Sequence, residues 1–338
     1  MRRVLVIRFS SLGDVILTFS ALAQLAQEGC EVHFLTKEAF RPLVSFNSHV
    51  FRIHTISNRA SFSELRQKTQ ELKQFQFDHV YDLHRNIRSW AASFLLGVPK
   101  SRIWKHRFKE FFLYFFHHRI FGLVRLSPIG RAAEAQNLVR GTSSRSASRS
   151  VIQIEQHHES VQSLVMRFPK GYVCVAIESA WIEKEWPAER FIEIAKRLAL
   201  SETGVVWIGL RALPSQAQLE GAVDLTGKLT IKEVASVLSR ARMLLSNDSG
   251  LMHLSEAVGT PVTAIFGPTT RELGFAPSLS SSQIAEVDLW CRPCSKTGRW
   301  CIRPIERRKC LTELTTDSVW SVVKSVLAKS EQKEQVKD

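Results

Sequence analysis

The sequence is short of several signatures that would settle its class at once. No apolar run nears the roughly 20 residues that a membrane-spanning helix needs; the longest of note is FFLYFF at 111–116. No segment recurs at a solenoid period, which excludes a stacked-repeat architecture. G-x-G-x-x-G is absent from the turn that follows the first strand-like run, which argues against a dinucleotide-binding dehydrogenase. The polar turn at 247–250 lacks the G-K-[ST] of a Walker loop. Acidic residues are also scarce: 32 Asp/Glu against 46 Lys/Arg leave a net charge of +14. Such an excess implies an acidic partner.

What remains is the composition of a soluble globular protein, with 44% hydrophobic and 23% charged residues among 338. That length exceeds one ordinary core and suits two α/β domains. MRRVLVIRF has the outline of a signal peptide, but Arg8 and then Gly13-Asp14 interrupt its apolar core. It reads as a first buried strand, so a cytoplasmic protein is expected. The positive charge is concentrated: 100–150 holds 11 Lys/Arg and 2 Asp/Glu, interleaved with Trp104, Phe108, Tyr114, Phe116 and other aromatics. That pattern fits a nucleic acid, an anionic membrane surface, or an amphipathic helix with a solvated basic side.

Apolar runs and amphipathic stretches alternate along the chain. RVLVIRF, CEVHFLTK, FRIHTIS and FDHVYDLH read as strands; SSLGDVILTFSALAQLAQEG, SFSELRQKTQELKQFQ and RSWAASFLLG read as helices or turn-and-helix. The succession predicts a mainly parallel sheet. GTSSRSASRS at 141–150 reads as a mobile low-complexity loop. A second βα series then runs from YVCVAIES to PVTAIFG, closed by a helix at 315–330 and a charged tail. Ligands of such sheets lie beyond the carboxyl ends of the strands, so motifs placed there matter most.

Three such motifs stand out. In RFSSLGDVILT, Ser10, Ser11 and Gly13 form a polar turn, and Asp14 is either a first-turn acid suited to the helix dipole or a carboxylate facing a ligand. In ESAWIEKEWPAERF, Ser179 ends a strand and Pro187 opens a helix. Lys184 in the loop can meet a phosphate as a point charge or remain a solvated lysine; Trp186 is a packing residue. In SNDSGLMHLSEAVG, the amides of Gly250, Leu251, Met252 and His253 begin a helix behind Asp248 and Ser249. Unpaired first-turn N–H groups with a glycine among them suit an anion. Four of six cysteines crowd together as C-x2-C-x6-C-x8-C: Cys291, Cys294, Cys301 and Cys310. They permit a structural zinc site or thiols packed in a loop. Cys30 and Cys174 read as core.

Together, SSLGDVILT, the K-x-W-P of 184–187 and NDSGLMHLSEAVGTPVTAIFGPT resemble the ADP-heptose:lipopolysaccharide heptosyltransferases of glycosyltransferase family 9. FDHVYDLHRNIRS, DLTGKLTIKEVASVLSRA and the KCL at 309–311 extend the likeness to roughly residues 3–325. Departures include Ser20 where the family commonly has proline, and RALPSQAQLE where an acidic residue usually stands, with Glu220 at a shifted position.

The resemblance implies a GT-B fold: two Rossmann-like parallel-sheet α/β domains facing a cleft. An acceptor-binding domain is expected over 1–165 and a nucleotide-sugar domain with a closing helix over 166–330, ahead of a disordered tail at 331–338. It implies inverting transfer of heptose from ADP-heptose to the lipopolysaccharide inner core, with Asp14 as the base. Ser179, Lys184, Asp248, Ser249 and the amides of Gly250 to His253 would bind the donor; Ser10, Ser11, Gly13, Arg85 and Arg88 would bind the acceptor. No D-x-D pair calls for a divalent ion, so no cofactor is expected beyond the possible structural zinc. The 100–150 region, through Lys105, Arg107 and Lys109, would meet the anionic inner-membrane surface peripherally rather than a nucleic acid. The alternatives are a family 9 transferase using another nucleotide sugar and a GT-B-like sugar-nucleotide epimerase.

Overall fold

The structure, a computed structural model, describes residues 1–103, 131–141, 149–154, 159–295 and 297–335. Most of the basic aromatic stretch, with Lys105, Arg107 and Lys109, and most of the Ser/Arg segment lie outside the described residues. The chain forms two compact α/β units, divided between Gln153 and Ile154. The division falls ahead of the expected boundary near 165. The helix Glu159–Arg167 packs on Ile231–Ser239 of the second unit and so belongs to it.

Unit 1 holds five parallel strands, β1 (Arg3–Ile7), β2 (Glu31–Lys37), β3 (Arg52–Ile56), β4 (His79–Asp82) and β5 (Lys100–Arg102), in the order β3-β2-β1-β4-β5. Its helices are α1 (Leu12–Leu17), α2 (Phe19–Gln27), α3 (Arg41–Val44), α4 (Phe62–Leu72), α5 (Ile87–Leu95) and α6 (Arg131–Arg140). β1 is buried from Val4 to Ile7, as a strand covered by helices on both faces must be. The segment read as one helix after β1 is two, parted at Thr18, whose hydroxyl donates to the Val15 carbonyl at 2.6 Å. α4 is capped as its sequence predicts, with the Glu64 amide donating to Ser61 Oγ.

Unit 2 contains β6 (Tyr172–Ala176), β7 (Gly204–Trp207), β8 (Val223–Asp224), β9 (Met243–Asn247), β10 (Val262–Phe266) and β11 (Gln283–Glu286), in the order β11-β10-β9-β6-β7-β8. All are parallel. Around them stand α7 (Glu159–Arg167), α8 (Ala188–Leu200), α9 (Ile231–Ser239), α10 (Gly250–Ala257), α11 (Lys309–Thr312) and α12 (Thr316–Gln335). Trp186, Phe191, Trp207, Leu311 and Val323 meet in one buried core cluster. Cys174 is in the core, whereas Cys30 is half-buried. The edge strands β5, β8 and β11 are too short and polar to declare themselves in sequence. α12 runs on through Gln335, into the tail expected to be disordered, and an Arg242–Glu331 ion pair ties it down. Residues 336–338 lie outside the described residues.

A histidine pair links β2 to β3 in unit 1, His33 buried and His54 half-buried. His33 Nδ1 lies 2.8 Å from His54 Nε2, and His33 Nε2 lies 3.0 Å from Glu31 Oε1. If His33 donates to the carboxylate, as a neutral imidazole must to satisfy it, its Nδ1 accepts from His54. Phe51, Phe75 and Phe77 surround the pair. Burial, then the charges of His33, Arg52 and Lys68, push the pKa of His54 down to about 4; burial also lowers that of His33. The unfolded chain therefore takes up protons near pH 6.5 that the folded chain refuses until about 4. Stability is full above the unfolded value and is lost as pH falls across that window. The urea midpoint should drop between those limits, and His54→Gln, which keeps a donor for His33 but cannot charge, should flatten the slope.

Candidate active site

In each unit the strand order reverses beside the first strand, between β1 and β4 in unit 1 and between β6 and β9 in unit 2. Loops diverge there and leave a crevice at the carboxyl ends of the strands. The sequence-predicted site residues fall at these two places.

In unit 1, Arg8 follows β1 and organises the turn. Its Nε donates to the Ser10 carbonyl at 2.7 Å, a second nitrogen donates to the Leu83 carbonyl beyond β4, and the third lies 2.6 Å from Asp14 Oδ1. Asp14 sits in the first turn of α1. Its Oδ2 accepts from the Ser11 amide at 3.0 Å and the Ser11 hydroxyl at 2.8 Å, closing a capping box. Desolvation raises its pKa, but the Arg8 charge and the two Ser11 hydrogen bonds outweigh it and hold the carboxyl below its ordinary range. Asp14 is thus an ionised, tightly oriented carboxylate. It is a first-turn acid, and it stands at the switch point.

Asp82, at the end of β4, was not singled out in the sequence. Fully buried, it accepts from the amides of His84 and Arg85 and from Nε of Arg102 at 2.9 Å. These bonds hold the turn that presents Arg85, whose backbone is left-handed at φ 52° and whose guanidinium donates to the Ile103 carbonyl at 3.2 Å. Arg88 is half-buried in the first turn of α5, and Gly13 is buried within α1.

In unit 2 the loops after β6 and β9 are stitched together. The Asn247 side chain donates to the Ile177 carbonyl at 2.8 Å and accepts from the Trp186 amide at 3.0 Å. The Ser179 hydroxyl donates to the Asp248 carbonyl at 3.3 Å, and its amide to Glu185 Oε1 at 2.9 Å. Trp186 is the packing residue expected: buried, its indole N–H donates to the Leu314 carbonyl. Lys184 is not a solvated lysine. Its Nζ lies 2.5 Å from Asp248 Oδ2, both side chains nearly buried, and the same oxygen accepts from the Thr269 hydroxyl at 2.6 Å. Ser249 is the cap residue of α10, yet its Oγ is buried with no hydrogen-bond partner and leaves the first-turn amides uncapped. Met252 and His253 have buried side chains, His253 edge-on to Phe275 at 6.3 Å.

The cysteine-bearing loop covers Lys184. A Cβ at Gly298, where φ is +68°, would lie 2.6 Å from Lys184 Cγ and 3.0 Å from Pro268. Arg307 pairs with Glu183 at 2.6 Å, and Arg308 donates to the Glu185 carbonyl. Buried Arg292 donates to the carbonyls of Gly267 and Thr269, fixing the turn that carries Thr269. Cys294 donates to the Cys291 carbonyl, Cys301 accepts from the Arg308 amide, and burial pushes the Cys310 thiol up to about 12. Among the described residues, no group of three or more His, Cys, Asp or Glu side chains is arranged to hold a metal ion. Glu220 is exposed on the turn before β8. In the loop after β7, Arg211 is held by Glu178 and Glu185, a cluster that the sequence did not announce.

Two all-parallel α/β units, each with polar loops at its switch point, are the architecture of a GT-B enzyme. Residues 65–300 match glycosyltransferase family 9 (heptosyltransferase), and the chain belongs to that family. It is 26% identical over 315 residues to lipopolysaccharide heptosyltransferase 1 of Pseudomonas aeruginosa, covering 87% of this chain and 86% of that protein. Its fold matches a family 9 glycosyl transferase of Veillonella parvula with a TM-score of 0.77 at 21% identity, over 97% of this chain and 98% of that one. The Escherichia coli heptosyltransferase WaaC with ADP matches at a TM-score of 0.67 and 20% identity, over 96% and 99%.

A side chain at position 298 must push aside the Lys184 stem, which carries the amine held by Asp248. Gly298→Ala should therefore weaken ADP binding by about tenfold in calorimetry, one lost charge-assisted contact. An unchanged affinity would detach the loop from the site.

Proposed function

We propose that this chain is an inverting heptosyltransferase that moves a heptose from ADP-heptose to an acceptor in the inner core of lipopolysaccharide. Family membership and the relatives' activities support the sugar and the acceptor class. The observation that carries the residue roles is the amine of Lys184 held by Asp248, whose shared oxygen also accepts from Thr269, with the uncapped first turn of α10 opening two residues beyond that aspartate.

In this reading the acceptor hydroxyl oxygen attacks the anomeric carbon of the donor, and the bond from that carbon to the diphosphate oxygen breaks. The hydroxyl proton passes to Asp14, and attack opposite the leaving group inverts the centre. Negative charge gathers on the departing ADP. Lys184 and the amides of Gly250 to His253 stabilise it with donors fixed beforehand, the arrangement that lowers barriers most effectively. Asp248 engages Lys184 and Thr269 through Oδ2; in this reading Oδ1 accepts from a donor-sugar hydroxyl. Arg8 keeps Asp14 ionised at neutral pH and lowers its basicity at once, so the proton moves late, as the acceptor oxygen becomes acidic. Because the acceptor is lipid-linked, the enzyme works peripherally at the cytoplasmic face of the inner membrane; among the described residues no helix is long and apolar enough to cross one.

ADP-heptose should raise the melting temperature above any shift from UDP- or GDP-sugars. Asp14→Asn should cut transfer by about 100-fold or more while keeping the ADP-induced shift, whereas Lys184→Ala should lose both. Stabilisation by UDP-sugars alone would sink the donor assignment. A separate pH-rate measurement should show Arg8→Gln moving the acid limb upward, because removing the cation raises the pKa of Asp14.

A further inference from the structure

Helix α5 is built inside out. Its buried positions are Ser89, Ala92 and Ser93, while Ile87, Trp90 and Phe94 are 71%, 45% and 58% exposed. The spacing 87, 90, 94 lays these three along one face. The Trp90 and Phe94 rings stack with centroids 5.3 Å apart, and the Lys100 ammonium sits 5.2 Å from the Phe94 centroid. From 83 to 103 the chain carries Arg85, Arg88, Lys100 and Arg102 and no acidic residue. An exposed apolar stripe rimmed by charge marks an interaction surface.

The chemistry of this surface selects its partner. Stacked Trp and Phe rings with cations at their edge match the interfacial layer of a bilayer, where rings sit among headgroups and Lys/Arg meet anionic phosphates. Arg102 is already paired with buried Asp82, and a second copy of the chain docked face to face would bring like charges, Arg88 and Lys100, onto one seam. Position points the same way. α5 begins directly after β4, Asp82 pairs in register with Ile7 of β1, and Arg8 donates to the Leu83 carbonyl. The apolar face thus starts at the strand ends that hold Asp14.

We propose that the Ile87–Trp90–Phe94 face, with Lys100 and its neighbouring cations, docks unit 1 onto an anionic lipid bilayer that carries the acceptor. The acceptor's part in this rests on the heptosyltransferase reading; the docking itself does not. Flotation without nucleotide tests it, using vesicles of phosphatidylcholine alone or with about one third phosphatidylglycerol. The full chain should float with the anionic vesicles and much less with the neutral ones. Trp90→Ser/Phe94→Ser should lower the partition by at least about tenfold, and Lys100→Glu should lower it further on anionic vesicles only. Both variants should keep the ADP-induced melting shift and transfer to a delipidated acceptor sugar, which shows that they are folded. Equal flotation of variant and parent, or no flotation of the parent, overturns the proposal. So does a parent dimer in lipid-free buffer that the double variant dissociates, which would assign the face to self-association. Loss of the ADP shift in the parent would instead count against the heptosyltransferase reading and leave the docking result standing.

Discussion

The pairing of Lys184 with Asp248 is the constraint around which unit 2 is arranged. Two opposite charges held nearly out of water survive only as a well-made pair, and removing one partner typically costs about 3–5 kcal/mol. The surroundings are built to keep that pair in one geometry. Thr269 donates to the shared carboxylate oxygen, Asn247 stitches the two strand-end loops together, and Gly298 leaves room for the lysine stem. A lysine free in solvent would lose side-chain entropy each time it gripped a phosphate. Here that ordering is completed during folding, so the proposed diphosphate would meet an ammonium already in place.

Unit 1 uses the same device with the roles exchanged. There the cation, Arg8, is the scaffold and the carboxylate, Asp14, is the proposed working group. A guanidinium can serve three acceptors at once in a fixed plane, and Arg8 spends its nitrogens on Ser10, Leu83 and Asp14. The turn after β1, the end of β4 and the proposed base are thereby locked to one another. The same charge makes Asp14 a weaker base. Orientation is gained at the expense of proton affinity, which suits a reaction whose nucleophile sheds its proton only as it bonds.

Much of this was legible in the sequence because strand-end motifs report backbone geometry. VLVI and YVCVA are apolar enough to demand burial on both faces, and the polar residues after them must then lie at the sheet's carboxyl edge. Asp14, Lys184 and the amides from Gly250 onward follow from that. What could not be read depends on pairing between segments far apart in the chain. Arg8 looked like an interruption of an apolar run, and Asp82 like the last residue of a strand. Thr269 stands 21 residues beyond the carboxylate it serves. No local pattern marks such partners, because their meaning is fixed by strand order. The short edge strands escaped for a related reason: two to four residues of β8 and β11 pair through backbone groups that every sequence possesses.

α5 shows where periodicity alone misleads. Apolar residues at helical spacing predict a helix correctly, and the usual inference is that the same residues face the core. Here the helix is confirmed and that inference fails, because the inner positions are Ser89, Ala92 and Ser93. Small residues let α5 lie close to α4 and β4, and their hydroxyls are satisfied within the helix, Ser89 on the Asn86 carbonyl and Ser93 on that of Trp90. With packing met by small side chains, the core exerts no demand for Ile87, Trp90 or Phe94. Their presence outside is therefore not leftover hydrophobicity from folding. The proposed bilayer would account for them, its anionic headgroups meeting Lys100 and Arg88 while Arg102 stays paired with buried Asp82.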